Sequence, residues 1–167
     1  MGPLLSKLVA PGQIQLHRQL MEHKVNRVPN FSLPIIDVRD VATAVVNALT
    51  AEGAANKRHL LSADNMWYTE TAQILADEFT KFGYDVTTKR ASSMYLWFNG
   101  MFDKQCRKWR PIVNKEFKID NTRMKTILGV KPRPINKTII DMGYSMIDTG
   151  LVKKPINYTA RASGEFV

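Results

Sequence analysis

The stretch Cys106–Arg110 places a thiol and three cationic side chains beside the indole of Trp109. Cations interleaved with an aromatic ring are typical of a nucleic-acid surface, and cations beside a thiol can lower its pKa toward that of a nucleophile. No RNA-recognition signature, helix-turn-helix pattern or catalytic partner accompanies the stretch. We therefore interpret it as a solvated helix face with one buried tryptophan, and we expect neither nucleic-acid binding nor a catalytic cysteine.

A nucleotide-binding turn needs closely spaced glycines, because only glycine lets the backbone approach a pyrophosphate at a helix N-terminus. The nine glycines stand at positions 2, 12, 53, 83, 100, 129, 143, 150 and 164, and no two of them lie two or three positions apart. The sequence therefore contains neither a dinucleotide fingerprint nor a P-loop. We expect this chain alone to bind no cofactor.

A tyrosine followed four residues later by a lysine would place a general acid beside a cation on one helix face. The residues four beyond the five tyrosines are two alanines, a threonine, an asparagine and an aspartate. The three histidines have no cysteine partners at zinc spacing. We expect no catalytic residue and no metal site within this chain.

The first six residues fit two incompatible interpretations. Met1, Gly2 and Ser6 match the spacing of an N-myristoylation signal. Alternatively, Gly2–Leu5 is the inside of a longer motif. Pro3 stiffens the chain beside the glycine that a transferase would have to bind, which favours the second interpretation.

Composition predicts one globular domain, since 167 residues with 44% hydrophobic content can bury a core. A single cysteine and the lack of a membrane-length apolar run or signal peptide predict a soluble, cytoplasmic chain with no membrane partner. The net charge is +9, and residues 101–167 hold fourteen Lys and Arg against six Asp and Glu. Such an excess favours anionic partners.

The coarse pattern is one of short strands alternating with helices. Apolar spacing and caps predict helices over 13–24, 41–49, 69–82, part of 92–110, 121–128 and 135–150, and Thr69 is the predicted N-cap of the third of them. Strands are predicted at Ile35–Val38, Arg58–Leu61, Tyr84–Thr88 and Phe117–Asp120. These elements are too few and too short for a complete doubly wound sheet, so the chain is expected to be part of a larger α/β fold.

Five segments, taken in order, resemble the C-terminal half of extended short-chain dehydrogenases. The segments are LPIIDVRDVATAVVNAL, KRHLLSAD, YTETAQILADEF, GYDVTTKR and FKIDNTRMKTILGVKPRPINKTIIDMGYSMIDTGLV. The resemblance extends from Gly2 to about Lys154 and is most specific at Asp37–Ala42 and at Asp120–Asn121 with Leu128–Gly129. Within the NAD-dependent epimerase/dehydratase family, the sequence most resembles the dihydroflavonol 4-reductase and cinnamoyl-CoA reductase branch.

The resemblance implies an α/β fold that is the C-terminal part of an extended Rossmann-type reductase, with the last sheet strands plus a small mixed α/β substrate domain. Complete family members bind NADP(H) in a glycine-rich N-terminal half, where a tyrosine and a lysine deliver a proton while hydride goes to a carbonyl. None of these elements is in this sequence. Residues 1–154 are therefore expected to be a fragment, followed by a polar tail at 155–167, that is inactive without the missing Rossmann half.

Residue roles follow from the same resemblance. Gly2 and Pro3 match the family segment beside the nicotinamide, which supports the second interpretation of the N-terminus. Leu4, Leu5 and Ser6 would continue along the substrate cleft.

Two further groups of residues complete the expected site. Asp37, Arg39 and Asp40 match a motif with a structural role, in which a carboxylate caps the helix and the arginine braces it. An apolar group on the aromatic-rich helix either lines the pocket or forms a core stripe. Its members are Met94, Tyr95, Phe98, Met101 and Phe102.

The main prediction is thus the substrate-domain fragment of an NADP(H)-dependent oxidoreductase that reduces a carbonyl to an alcohol, or the reverse. Its substrate would be a small carbonyl or hydroxyl compound. The alternative is a non-enzymatic module whose basic region 104–137 binds an anionic partner, or which pairs with a separate Rossmann chain.

Overall fold

Helices dominate the structure, which is a computed structural model that describes residues 1–4, 12–156 and 158, apart from the side chains of residues 104 and 105. These residues form seven α-helices and one sheet of two strands. A turn of 3-10 helix, Thr80–Phe82, continues the third α-helix. The elements in chain order are α1 (Gln13–Met21), β1 (Ser32–Ile35), α2 (Val38–Ala48), β2 (Asp64–Trp67), α3 (Tyr68–Phe79), α4 (Ser93–Phe102), α5 (Lys104–Trp109), α6 (Thr122–Thr126) and α7 (Ile135–Asp148).

The main core lies between α1, α3 and α7, with the sheet beside it. Helix α7 is buried along most of its length because its neighbours cover more than one of its faces. A Cβ at Gly143 would stand 2.5 Å from the ring of Phe79. Glycine at this position therefore sets how closely α3 and α7 approach.

Two smaller clusters extend the core. Ala44 of α2 packs with Met124 of α6 and with Leu128 just beyond it. Leu96 of α4 packs with Cys106 of α5. Helices α2 and α4 thus contribute few buried side chains and carry much of the exposed apolar surface.

The predicted helices are confirmed as elements, with bounds that differ by a few residues. Gly83, Gly129 and Gly150 end helical segments with φ angles of +89°, +62° and +71°. One predicted cap is wrong. Helix α3 begins at Tyr68, and the backbone N–H of its N-cap, Trp67, donates to the carboxylate of Glu70 at 3.0 Å, whereas the hydroxyl of Thr69 donates to Asn30 Oδ1.

The strand predictions were less accurate than the helix predictions. The strand expected at Ile35–Val38 is displaced, because β1 ends at Ile35 and the chain turns into α2 at Asp37. Strand β1 pairs antiparallel with β2, with Ser32 opposite Trp67 and Ile35 opposite Asp64. Strand β2 was not predicted, since Asp and Asn are depleted in strands and only its partner holds the segment extended.

The strands predicted at Arg58–Leu61, Tyr84–Thr88 and Phe117–Asp120 are wrong, and none of these described segments is a strand. In the second of them Tyr84 and Val86 are buried and Asp85 is exposed, but Thr87 is buried as well, so the predicted alternation covers only three residues. A strand also needs a neighbour that pairs with its N–H and C=O groups along its length. Backbone pairing near the second segment is a single bridge, from Val28 to Arg90.

Candidate functional site

A cavity of about 320 Å³ lies beside the N-terminal segment of the chain, residues Met1–Leu4. One wall is that segment itself, and the others come from α1, the start of α2, and α7. A volume of this size suits a small organic molecule. Its lining residues are Met1, Gly2, Pro3, Leu4, Gln13, Ile14, Val38 and Met142.

The N-terminal segment is held at both of its ends. The backbone N–H of Val38 donates to the carbonyl of Met1 at 2.6 Å, which ties the segment to the start of α2. The N–H of Leu4 donates to Ser145 Oγ at 2.9 Å, which ties it to α7. The segment is therefore a fixed wall of the cavity.

Gly2 is required by both its backbone and its surroundings. Its φ of +115° lies in the region that glycine tolerates and other residues avoid. A Cβ at this position would also stand 2.9 Å from Asp37 Oδ1. A side chain here would displace either the segment or the carboxylate.

Asp37 joins this wall to the rest of the fold. Its buried carboxylate caps α2 by accepting from the N–H of Arg39 at 2.9 Å, and it accepts from the hydroxyl of Thr138 at 2.8 Å. Burial would raise the pKa of the Asp37 carboxyl, but hydrogen bonds from Arg39 and Thr138 outweigh that effect and lower the pKa to about 2. The group is therefore an anion at neutral pH.

Arg39 braces this carboxylate against α7. One of its guanidinium nitrogens lies 2.7 Å from Asp37 Oδ2 and 2.8 Å from Asp141 Oδ2. A second pair, between Asp40 and Arg133, connects α2 to the segment before α7. The structural role that the sequence predicted for Asp37 and Arg39 matches these contacts.

The predicted site residues fall into three groups. Gly2, Pro3 and Leu4 come together at the cavity. Leu5 and Ser6 lie outside the described residues. For all five of these residues, the predicted contacts with a cofactor or a substrate remain predictions.

The third group lies on α4, away from this cavity. Met94, Phe98 and Phe102 are exposed and are not among the lining residues. They therefore form no core stripe, and contact with a substrate remains a prediction for them.

Sequence reasoning missed Gln13, Ile14 and Met142. In the sequence, each of these residues looks like any other polar or apolar residue of a helix. Only the packing of α1 and α7 brings them to the cavity.

The cations beside Cys106 in the sequence do not lower the pKa of its thiol. Burial, together with the hydrogen bond to Asp103 and the charge of that carboxylate, raises the pKa of the thiol to about 11. The cations of Arg107 and Lys108 stay exposed, so they do not offset this effect. Cys106 is a buried core residue and not a nucleophile at neutral pH.

Among the described residues, no group of three or more His, Cys, Asp and Glu side chains is placed to hold a metal ion. No helix within residues 12–156 is long and apolar enough to cross a membrane.

Comparisons with solved structures show what the fold is similar to. Gre2 from Candida albicans in complex with NADPH matches with a TM-score of 0.64 and 21% identity, over 89% of this chain and 41% of that chain. Yeast methylglyoxal/isovaleraldehyde reductase Gre2 complexed with NADPH matches with a TM-score of 0.62 and 19% identity, over 89% and 44%. The protein gox2253 matches with a TM-score of 0.64 and 17% identity, over 86% and 46%.

These matches establish the fold. The predicted α/β fold is confirmed, and it corresponds to only part of the fold of these larger chains. The chain spans less than half the length of each of these structures. No protein-family model and no curated protein matches the sequence.

Two helices begin beside the cavity, and the N-terminus of one of them, α2, does not fit the pyrophosphate of the NADPH seen in two of these structures. That helix end already binds the carboxylate of Asp37. That negative charge would repel a pyrophosphate where the helix amides would otherwise attract one. What the cavity can accept is a small molecule with apolar surface against Ile14, Val38 and Met142.

Proposed function

We propose that this chain is the substrate-side portion of an NADP(H)-dependent carbonyl reductase of the extended short-chain type. The observation that carries the proposal is the Met1–Leu4 segment, fixed as a cavity wall in a chain whose fold matches part of NADPH-complexed reductases. The sequence resemblance favours the dihydroflavonol 4-reductase and cinnamoyl-CoA reductase branch. Residues 1–154 form the substrate-side unit in this proposal, and 155–167 form a tail.

The proposal places the cofactor on a separate nucleotide-binding portion of the protein. NADPH supplies hydride to a carbonyl carbon in reductases of this kind. This chain contributes the fixed Gly2–Leu4 wall and the apolar side chains that hold a substrate against it. Because the chain carries neither the glycine turn nor the tyrosine and lysine pair, it is inactive alone.

The exposed face of α2 supports the presence of another portion. Val45, Val46 and Leu49 are 58%, 63% and 81% exposed, although they follow one another at helical spacing. Such a face is costly in water and is normally covered. We assign it to contact with the nucleotide-binding portion.

A ligand-binding experiment tests the substrate side of the proposal. Isovaleraldehyde and its alcohol, isoamyl alcohol, are titrated into the chain while the methyl signals of Met142 and Val38 are followed by NMR. The two probes should shift both signals, since both residues line the cavity.

Two tryptophan variants make this test specific. Val38→Trp fills the cavity and should abolish the Met142 shifts. Val46→Trp makes the same change on the same helix, at a residue that does not line the cavity, and should leave the shifts intact. Equal Met142 shifts in both variants, or none in the original chain, would contradict a substrate site here.

A further inference from the structure

Apart from the Met1–Leu4 cavity, the structure has a groove along the start of α4. It consists of two adjoining cavities of about 340 Å³ and about 250 Å³, which share Ser93 and Asn114 as lining residues. Arg90 lies in the first cavity, and Arg110 lies in the second. None of the described residues lines both this groove and the Met1–Leu4 cavity, so the two sites are separate.

Arg90 is held in place by its backbone and by its side chain. The carbonyl of Val28 accepts from Ala91 N, and the carbonyl of Lys89 accepts from Val28 N, each at 2.8 Å. The guanidinium donates to Asn114 Oδ1 at 3.0 Å. This arginine is therefore oriented before any ligand arrives.

Asn114 is fixed by more than this one contact. Its Oδ1 also accepts from Asn30 Nδ2 at 3.0 Å, and its backbone N–H donates to the carbonyl of Asn30 at 2.7 Å. Both donors are bound at the oxygen, and Asn114 lines both cavities, so its amide nitrogen is a candidate donor for a ligand.

Arg110 carries a charge that nothing in the described part of the chain neutralises. Its side-chain stem lies over Gly100, where a Cβ would stand 3.1 Å from Arg110 Cδ. The guanidinium forms no hydrogen bond or ion pair with the described residues. No Asp or Glu is among the described lining residues, so the groove presents two cations and no anion.

The groove also has apolar surface. Leu96 is 2% exposed and forms part of its floor, while the indole of Trp97 is half exposed and forms part of a wall. A flat ring can lie against an indole, and a guanidinium binds phosphate or carboxylate through paired hydrogen bonds. The combination suits a ligand with an anionic group on a planar body.

We propose that this groove binds an anionic ligand with a planar apolar group, whose phosphate or carboxylate is held by Arg90 and Arg110 and whose ring contacts Trp97. Ser93 and the amide of Asn114 supply further hydrogen-bond donors. This inference does not depend on the proposed reductase function, because the groove shares no residue with the substrate cavity.

Calorimetric titration of the chain with phenyl phosphate, benzoate and benzyl alcohol tests the proposal. The two anions should bind at least about tenfold more tightly than the neutral alcohol, since an ion pair with a guanidinium separates them. The stronger of the two anions identifies whether the natural group is a phosphate or a carboxylate. The indole N–H signal of Trp97 should shift with both.

Matched charge variants locate the binding. Arg110→Gln should weaken phenyl phosphate binding by about tenfold, whereas Lys108→Gln removes an exposed cation two residues away and should change it less than about twofold. Trp97→Ala provides a second variant, and the thermal midpoint of each shows that it folds. Equal losses in the two charge variants, or benzyl alcohol binding as tightly as the anions, would overturn the proposal.

Discussion

Gly2 lies so close to the carboxylate of Asp37 that a Cβ at position 2 would stand 2.9 Å from Asp37 Oδ1. The same carboxylate caps α2 and accepts a hydrogen bond from Thr138 of α7. The wall of the Met1–Leu4 cavity and the junction of two helices therefore share one buried charge. A substitution at Gly2 should therefore affect the junction of α2 with α7, and a substitution at that junction should affect the cavity wall.

Replacing Gly2 with alanine should destabilise the chain through both strain and contact. The positive φ alone costs about 1 kcal/mol, and crowding of the Asp37 carboxylate adds about 1–3 kcal/mol. Gly12→Ala is the matched control, because Gly12 has a φ of +108° but nothing within 4 Å of a Cβ. Urea unfolding should show a larger loss for Gly2→Ala, and equal losses would mean that the contact is unimportant.

Removing Arg39 should cost far more than removing a surface arginine. Arg39→Ala leaves two buried carboxylates, Asp37 and Asp141, without their shared cation, which typically costs about 3–5 kcal/mol. Arg18→Ala breaks an i,i+4 pair with Glu22 on α1 and should cost less than about 1 kcal/mol. Comparable denaturation midpoints for the two variants would show that the buried network contributes little.

His17 should make stability depend on pH between 6.5 and 4. Its imidazole is fully buried in α1, and burial lowers its pKa from 6.5 to about 4. Because the unfolded chain takes up this proton at higher pH than the folded chain, stability is complete above pH 6.5 and falls as the pH drops toward 4. The full loss is roughly 3 kcal/mol.

A pair of histidine variants checks this assignment. His17→Leu should flatten the stability profile across this range, while His23→Leu, at an exposed residue, should keep the slope. Unfolding free energies measured at several pH values between 4 and 7 give the slope for each variant. A slope that survives His17→Leu would assign the effect to another group.

The chain alone should not use NADPH. With no glycine turn and no tyrosine and lysine pair, it should oxidise no NADPH in the presence of isovaleraldehyde, whereas yeast Gre2 serves as the positive control. NADPH should also leave the thermal midpoint of the Arg110→Gln variant unchanged, a variant chosen so that the anion groove does not contribute. Turnover, or protection of this variant, would show that this chain holds a cofactor site of its own.

The helices were predictable from the sequence because each signal is local. Gly83, Gly129 and Gly150 mark helix ends through backbone angles that glycine alone tolerates easily. The cap at Asp37 was implied by the family resemblance, and the structure has it. The strands were not predictable in the same way, since Tyr84–Thr88 alternates in burial only as far as Val86 and lacks a paired strand in the described structure.

The candidate site was predictable only where the resemblance reached it. Gly2, Pro3 and Leu4 were named from a family segment, and they do line the cavity. Met142 carries no sequence signal for the cavity, and the cationic stretch that includes Arg110 gave no sign of Arg90, because both placements depend on which surfaces meet in the fold. The pKa of Cys106 does not follow from its neighbours in the sequence, since those cations face solvent while Asp103 contacts the thiol.

Native mass spectrometry of the endogenous protein, captured through an antibody against residues 153–167, tests the central proposal most directly. If the chain is the substrate-side portion of a reductase, every captured species should exceed 19.0 kDa by the mass of a nucleotide-binding portion, whether covalent or associated. A species of 19.0 kDa, or only whole multiples of that mass, would contradict it.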